Sequence, residues 1–108
     1  MVMKINFIDL KKQYSAHKND IDNAINRTLE RGDFILGDSV SVLENELGSY
    51  TNTTCISVAN GTDAIFISLM AIGISQGDEV IVPSFTWVST VETVVLAGGT
   101  PVYCDIDQ

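Results

Sequence analysis

Two short stretches hold the residues that could do chemistry. In Ser57-Val58-Ala59-Asn60-Gly61-Thr62-Asp63-Ala64 an apolar run rich in β-branched residues stops at Asn-Gly, and an apolar helical pattern begins. A glycine at such a junction lets backbone approach a ligand closely. The first turn of the helix then offers unpaired N–H groups and the positive end of its dipole. That arrangement suits an anion, and Thr62 adds a hydroxyl donor. In Ser84-Phe85-Thr86-Trp87 a second apolar run closes on an aromatic just past its end, where a flat ring could lie on a cofactor. Together the two stretches describe a cradle for a phosphorylated aromatic molecule. Each also has a plainer reading: a tight turn without a ligand at Asn60-Gly61, core packing at a helix start for Trp87, and a favourable first-turn charge for Asp63. The junction is neither a Walker loop, since no Gly-Lys-Ser/Thr follows, nor a G-x-G-x-x-G dinucleotide turn.

The elements that must position these residues alternate. Residues 55–59 read as a strand, 62–72 as a helix ending at Gly73, and Gln76-Gly77-Asp78 as a turn. Residues 79–83 read as a strand, 88–97 as a helix stopped by Gly98-Gly99, and 100–106 as a last strand. Strand–helix–strand–helix–strand predicts an α/β fold with right-handed crossovers between neighbouring strands. Ligands in such sheets sit at the carboxyl ends of strands, where Asn60-Gly61-Thr62, Ser84 to Trp87 and Asp105-Ile106-Asp107 fall. Ahead of this part, Phe7-Ile8-Asp9-Leu10 is an apolar lead-in and residues 11–31 form one polar helix. Its apolar positions recur at three- and four-residue steps, and His17, the only histidine, sits among them as a partly exposed helix residue. Gly32 to Gly37 breaks that helix as a loop with Phe34, Ile35 and Leu36 at its centre. Either these three plug into a core beneath the loop, or they form a lip reaching a site or a neighbouring subunit. Asp38 or Ser39 is expected to cap a further helix to about Tyr50.

The totals narrow the function. At 108 residues the chain is one domain or part of one. A net charge of −8, with all six Lys and Arg within the first 31 residues, argues against a nucleic-acid surface. An anionic substrate would need local donors, because the global field opposes it. Cys55 and Cys104 have no C-x-x-C context and read as small thiols buried on strands; no metal site is indicated. Residues 1–6 lack a signal pattern and no apolar run approaches a membrane span, so the expectation is a soluble cytoplasmic protein without a membrane partner. On that expectation the three Asn-x-Thr sequons are fortuitous. The last strand has no helix after it, which predicts an unpaired sheet edge and an uncovered apolar face, as in the front part of a larger domain.

Five blocks then carry a resemblance. Phe7-Ile8-Asp9-Leu10, Arg31-Gly32-Asp33-Phe34-Ile35-Leu36-Gly37, Val58 to Ala64, Gly77 to Trp87 and Gly99 to Asp107 occur in one order, across nearly the whole chain. In this the sequence resembles the N-terminal part of the DegT/DnrJ/StrS-type sugar aminotransferases. The resemblance implies fold type I of the pyridoxal 5′-phosphate (PLP) enzymes, in the aspartate-aminotransferase style. It implies transfer of an amino group, usually from glutamate, to a nucleotide-linked keto-sugar. It also implies that Gly61, Thr62 and Asp63 hold the PLP phosphate and that Trp87 stacks on the pyridine ring. Phe34, Ile35, Leu36 and Gly37 become a substrate-side loop at a homodimer interface.

On this reading residues 1–50 are a helical segment bearing that loop, and 51–108 are the first strand–helix units of the PLP-binding large domain. One departure accompanies the match. The lysines are Lys4, Lys11, Lys12 and Lys18, none at a matching position, so the Schiff-base lysine is expected beyond Gln108 and the 108 residues alone are expected not to transaminate. Alternatives are a pyridoxamine-phosphate (PMP)-dependent sugar dehydratase of the same family, a non-catalytic remnant that binds a partner, and an unrelated phosphate-binding α/β domain.

Overall fold

The computed structural model describes residues 7–107; the N-terminal stretch read above for a signal pattern, with Lys4, lies outside them. The chain divides into two compact units, with the boundary after Ile56. The first is helical: α1 (Leu10–Ala16), α2 (Lys18–Arg31) and α3 (Asp38–Thr51). The second runs α4 (Gly61–Ala71), β1 (Glu79–Pro83), α5 (Ser89–Leu96) and β2 (Thr100–Cys104).

The single helix expected over 11–31 is two helices. His17 leaves helical geometry (φ −118°, ψ 18°), and its N–H turns back to the Tyr14 carbonyl at 3.1 Å. Side chains explain the break. The Tyr14 hydroxyl donates to Asp22 Oδ1 at 2.7 Å, and the Lys18 ammonium pairs with Asp22 and lies 5.3 Å from the Tyr14 ring centre. On a straight helix residues eight apart are separated by about 12 Å of rise, too far for that bond. The bend at His17 brings Tyr14 and Asp22 together. Gly32 then ends α2 in the left-handed conformation (φ 69°) that glycine adopts without strain, as the break expected there requires.

The expected cap of α3 is corrected. Gly37 occupies the N-cap, and neither Asp38 nor Ser39 supplies a side-chain cap. Instead Asp33 reaches across the loop, and its Oδ2 accepts the Asp38 N–H at 3.2 Å.

The second unit is a strand–helix–strand layer with α4 added. β1 and β2 pair in parallel, Glu79 opposite Thr100 through Pro83 opposite Cys104, with α5 as the crossover. The 75–78 turn precedes β1: the Ser75 N–H donates to Asp78 Oδ2 at 2.8 Å, and the Asp78 carbonyl accepts from Thr100 N–H at 2.8 Å. The core is Leu69 of α4, Val82 of β1 and Val94 of α5, with Ile65, Ile74, Val80, Val91 and Ala97 packed around it. Strand alternation puts Val82 (2 % exposed) inward and Ile81 (72 %) outward. One sheet face is thus covered by helices, and the other is open among the described residues.

Residues 55–59 are not a strand here. Only β1 and β2 form a ladder among the described residues, so this apolar run has no strand to pair with, and Ile56 is exposed. The last strand stops at Cys104 rather than 106 because its partner β1 ends at Pro83. Cys104 is exposed and Cys55 half-buried, which corrects the expectation of two buried thiols. Among the described residues no helix is long and apolar enough to cross a membrane.

The Tyr14–Lys18–Asp22 cluster gives the first unit a pH dependence. Hydrogen bonds from Lys18 and then Tyr14 hold the Asp22 carboxyl below its ordinary value of 3.8, and the bond to Asp22 holds the Lys18 ammonium above 10.5. The Asp22 contribution is therefore present above pH 3.8 and lost as pH falls through its lowered folded value. That of Lys18 is present below 10.5 and lost as pH rises through its raised value. Protection of the His17 and Ile21 amides, taken relative to intrinsic exchange, is expected to fall at both extremes, with a smaller change in high salt because the pair is solvent-exposed. Protection unchanged down to pH 2 would show that the side-chain cluster does not hold the bend.

Candidate functional site

Asn60 sets the start of α4. Its backbone is extended (φ −164°, ψ 175°), its carbonyl accepts the Ala64 N–H at 3.0 Å, and its side-chain Oδ1 accepts the Asp63 N–H at 2.9 Å. Asn60 Nδ2 in turn donates to Asp63 Oδ2 at 3.1 Å. This reciprocal pair satisfies one of the orphan donors of the first turn. Two N–H groups remain, those of Gly61 and Thr62, and neither has a partner among the described residues; nor has the Thr62 hydroxyl. They are the donors that an anion at the positive end of an eleven-residue helix would meet. A Cβ at Gly61 would touch nothing within 4 Å, so the space over this turn is open.

Asp63 differs in kind from its neighbours. Its backbone N–H and one carboxylate oxygen are both engaged by Asn60, and it is half-buried. Held by the Asn60 cap, it belongs to the frame of the turn, and its N–H is already engaged.

Trp87 lies between β1 and α5. Residues 84–87 leave the carboxyl end of β1, and the Ser84 N–H extends the ladder by donating to the Cys104 carbonyl at 2.8 Å. The parallel register places 84–87 and 105–107 at the same end of the two strands. The Trp87 carbonyl accepts the Thr90 N–H at 3.1 Å, which fixes its backbone at the helix start. Its side chain is 78 % exposed, so it does not pack into the core. Phe85 beside it is fully exposed as well.

Phe34, Ile35, Leu36 and Gly37 belong to the first unit, in the loop between α2 and α3. The three apolar side chains are exposed, so they do not plug a core beneath the loop. Phe34 borders an apolar groove of about 420 Å³ formed with Ala24, Ile25, Thr28 and Leu29 of α2, with Arg27 and Arg31 at its edge. A second concavity, of about 740 Å³, is an open polar dish between α3 and residues 52–55 that includes none of these side chains. Its size carries no chemistry: it has neither a cation nor an aromatic face.

A model of the DegT/DnrJ/EryC1/StrS aminotransferase family matches residues 15–108. The chain belongs to that family. A Pseudomonas aeruginosa relative, UDP-2-acetamido-2-deoxy-3-oxo-D-glucuronate aminotransferase, is 53 % identical over 104 residues, which cover 95 % of this chain and 29 % of that protein. A DegT/DnrJ/EryC1/StrS aminotransferase from Brucella abortus superposes with a TM-score of 0.89 at 42 % identity, over 96 % of this chain and 28 % of that one. The Bacillus subtilis protein NtdA, solved with bound cofactor PMP, superposes with a TM-score of 0.87 at 33 % identity, over 99 % of this chain and 25 % of that one. The fold is therefore that of the DegT-type aminotransferases of fold type I. The chain spans less than a third of the length of these relatives.

Two structural contributors to these turns escaped sequence reading. The Asn60–Asp63 cap has a legible signal, since a capping residue followed three positions later by an acid is the capping-box spacing. Arg31, whose guanidinium spans the 32–37 loop, has none.

Replacing Asn60 by Ala is expected to cost about 1 kcal/mol of stability and to quicken amide exchange at Asp63, whereas Asn60→Ser restores most of both. Equal denaturation midpoints for all three proteins would remove the cap from the account of this turn.

Proposed function

We propose that these residues form the phosphate-and-ring half of the PLP site of an aminotransferase that moves an amino group, from glutamate, onto the ketone of a nucleotide-linked sugar. The observation that carries the reading is the Asn60-capped start of α4, where the Gly61 and Thr62 N–H groups and the Thr62 hydroxyl stand without partners among the described residues. Three donors on one turn match the oxygens of a phosphate monoester, and the helix dipole favours the dianion. Family membership and the relative that aminates a UDP-linked 3-oxo sugar supply the substrate class.

On this reading each residue has a distinct role. Gly61 and Thr62 hold the phosphate, Asp63 with Asn60 fixes the turn, and Trp87 offers a flat face to the pyridine ring. PLP, when bound, supplies the electron sink that lets an amino group leave one carbon and join another. This chain's residues anchor and orient that group. Proton transfer needs a lysine, and Lys11, Lys12 and Lys18 all sit in the helical unit, on α1 and α2. We assign the lysine to polypeptide beyond residue 108, and the homodimer likewise to the natural full-length chain. Phe34, Ile35, Leu36 and Gly37 line the substrate side in this arrangement, and the site works in the cytoplasm.

The test is PLP affinity in the natural full-length chain. Trp87→Ala is expected to weaken binding roughly three- to tenfold, the range that loss of ring stacking gives. Thr62→Val is expected to weaken it about tenfold through loss of a charge-assisted hydrogen bond. Wild-type affinity in both variants would sink the reading.

A further inference from the structure

The 32–37 loop presents apolar side chains to solvent, yet its backbone is tied at both ends. Phe34, Ile35 and Leu36 are 65, 89 and 86 % exposed. Leu36 sits at φ 50°, a left-handed conformation that costs free energy for a residue with a Cβ and persists only where the surroundings enforce it. Arg31, the last residue of α2, faces residues at both ends of the loop. Its Nη2 donates to Ser39 Oγ at 3.0 Å, its Nε lies 3.4 Å from Asp33 Oδ1, and its Nη1 lies 3.8 Å from Asp38 Oδ2. Asp33 Oδ1 is shielded from water and makes no hydrogen bond, so the Arg31 charge is what balances it. Asp33 Oδ2 meanwhile caps α3 through the Asp38 N–H. Gly37 lets the chain cross close above Asp33, where a Cβ would lie 2.1 Å from the Asp33 carbonyl oxygen.

We infer that Arg31 and Asp33 are positioning residues that brace the 32–37 loop on α3, so that Phe34, Ile35 and Leu36 stand as a preformed lip against the nucleotide-linked substrate. This rests on the substrate-side reading of the loop given above. A preformed lip spares the substrate the ordering cost of a mobile one, which shows as affinity. The Arg31 guanidinium is turned to two carboxylates and a hydroxyl of its own unit. It is therefore spent on the brace rather than on a substrate phosphate. A lysine could not replace it, because one ammonium does not span three acceptors in a fork.

The test uses the natural full-length chain loaded with PLP, in wild-type form and as Arg31→Gln, Arg31→Lys, Asp33→Asn and Leu36→Ala. Two quantities are read: amide exchange at residues 34–36 without substrate, and kcat and KM for a nucleotide-linked keto-sugar. Both Arg31 variants and Asp33→Asn are expected to quicken exchange at 34–36 about tenfold. They are expected to raise KM roughly threefold or more while changing kcat less. Unchanged exchange in all three would overturn the brace. So would a wild-type KM in Arg31→Lys beside a raised one in Arg31→Gln, which would make Arg31 a direct charge partner of the substrate. Leu36→Ala separates the two layers of the inference. It is expected to raise KM without loosening the loop, and an unchanged KM there would overturn the substrate-side reading itself and the inference with it.

Discussion

The start of α4 depends on one local exchange of hydrogen bonds, between Asn60 and Asp63. A helix start has more N–H donors than its own carbonyls can use. Asn60 consumes one and leaves those of Gly61 and Thr62 without a partner among the described residues, at the positive end of the dipole. Without the cap the first turn frays, and the donors point nowhere in particular. With it they are fixed before any ligand arrives, which is the condition for binding an anion without paying to order the site. Leu69 and Ile65, further along α4, hold the helix on Val82 and Val94, so the turn is carried by the only fully formed core among the described residues.

Local donors matter here because the long-range field is adverse. A chain of net charge −8 repels a phosphate at distance, and its six basic residues all precede the turn in sequence. In the proposed site the attraction is short-ranged: backbone N–H groups and one hydroxyl, on a turn held by the Asn60–Asp63 pair. Arg31 follows the same economy in the helical unit. Its charge is matched inside its own loop by Asp33 and Asp38 and works as a structural fork.

What was legible in the sequence divides along physical lines. β1 was read to the residue because Gly77-Asp78 and Pro83 bracket a β-branched run, and α5 to within one residue at each end because Gly98-Gly99 stops it. The Asn60-Gly61-Thr62 junction showed in composition, and its helix begins one residue earlier than the pattern suggested. The failures share a cause: each was decided by a specific partner that the local pattern does not name. Residues 55–59 have strand composition but no neighbouring strand to complete a ladder. The bend at His17 goes with a bond between Tyr14 and Asp22, and periodicity is blind to it. Asp33 captured the α3 cap from five residues away, ahead of the nearer Asp38 and Ser39. For Trp87 the sequence allowed a core or an exposed ring, and only the fold puts it outside.

The most direct measurement is an amide and indole shift titration of the natural full-length chain, isotopically labelled, with PLP and separately with inorganic phosphate. Both ligands are expected to move the Gly61 and Thr62 amides most, since both carry the group those donors meet, and PLP alone is expected to move the Trp87 indole. A PLP complex that leaves Gly61 and Thr62 unshifted would contradict the assignment of this turn to the cofactor phosphate.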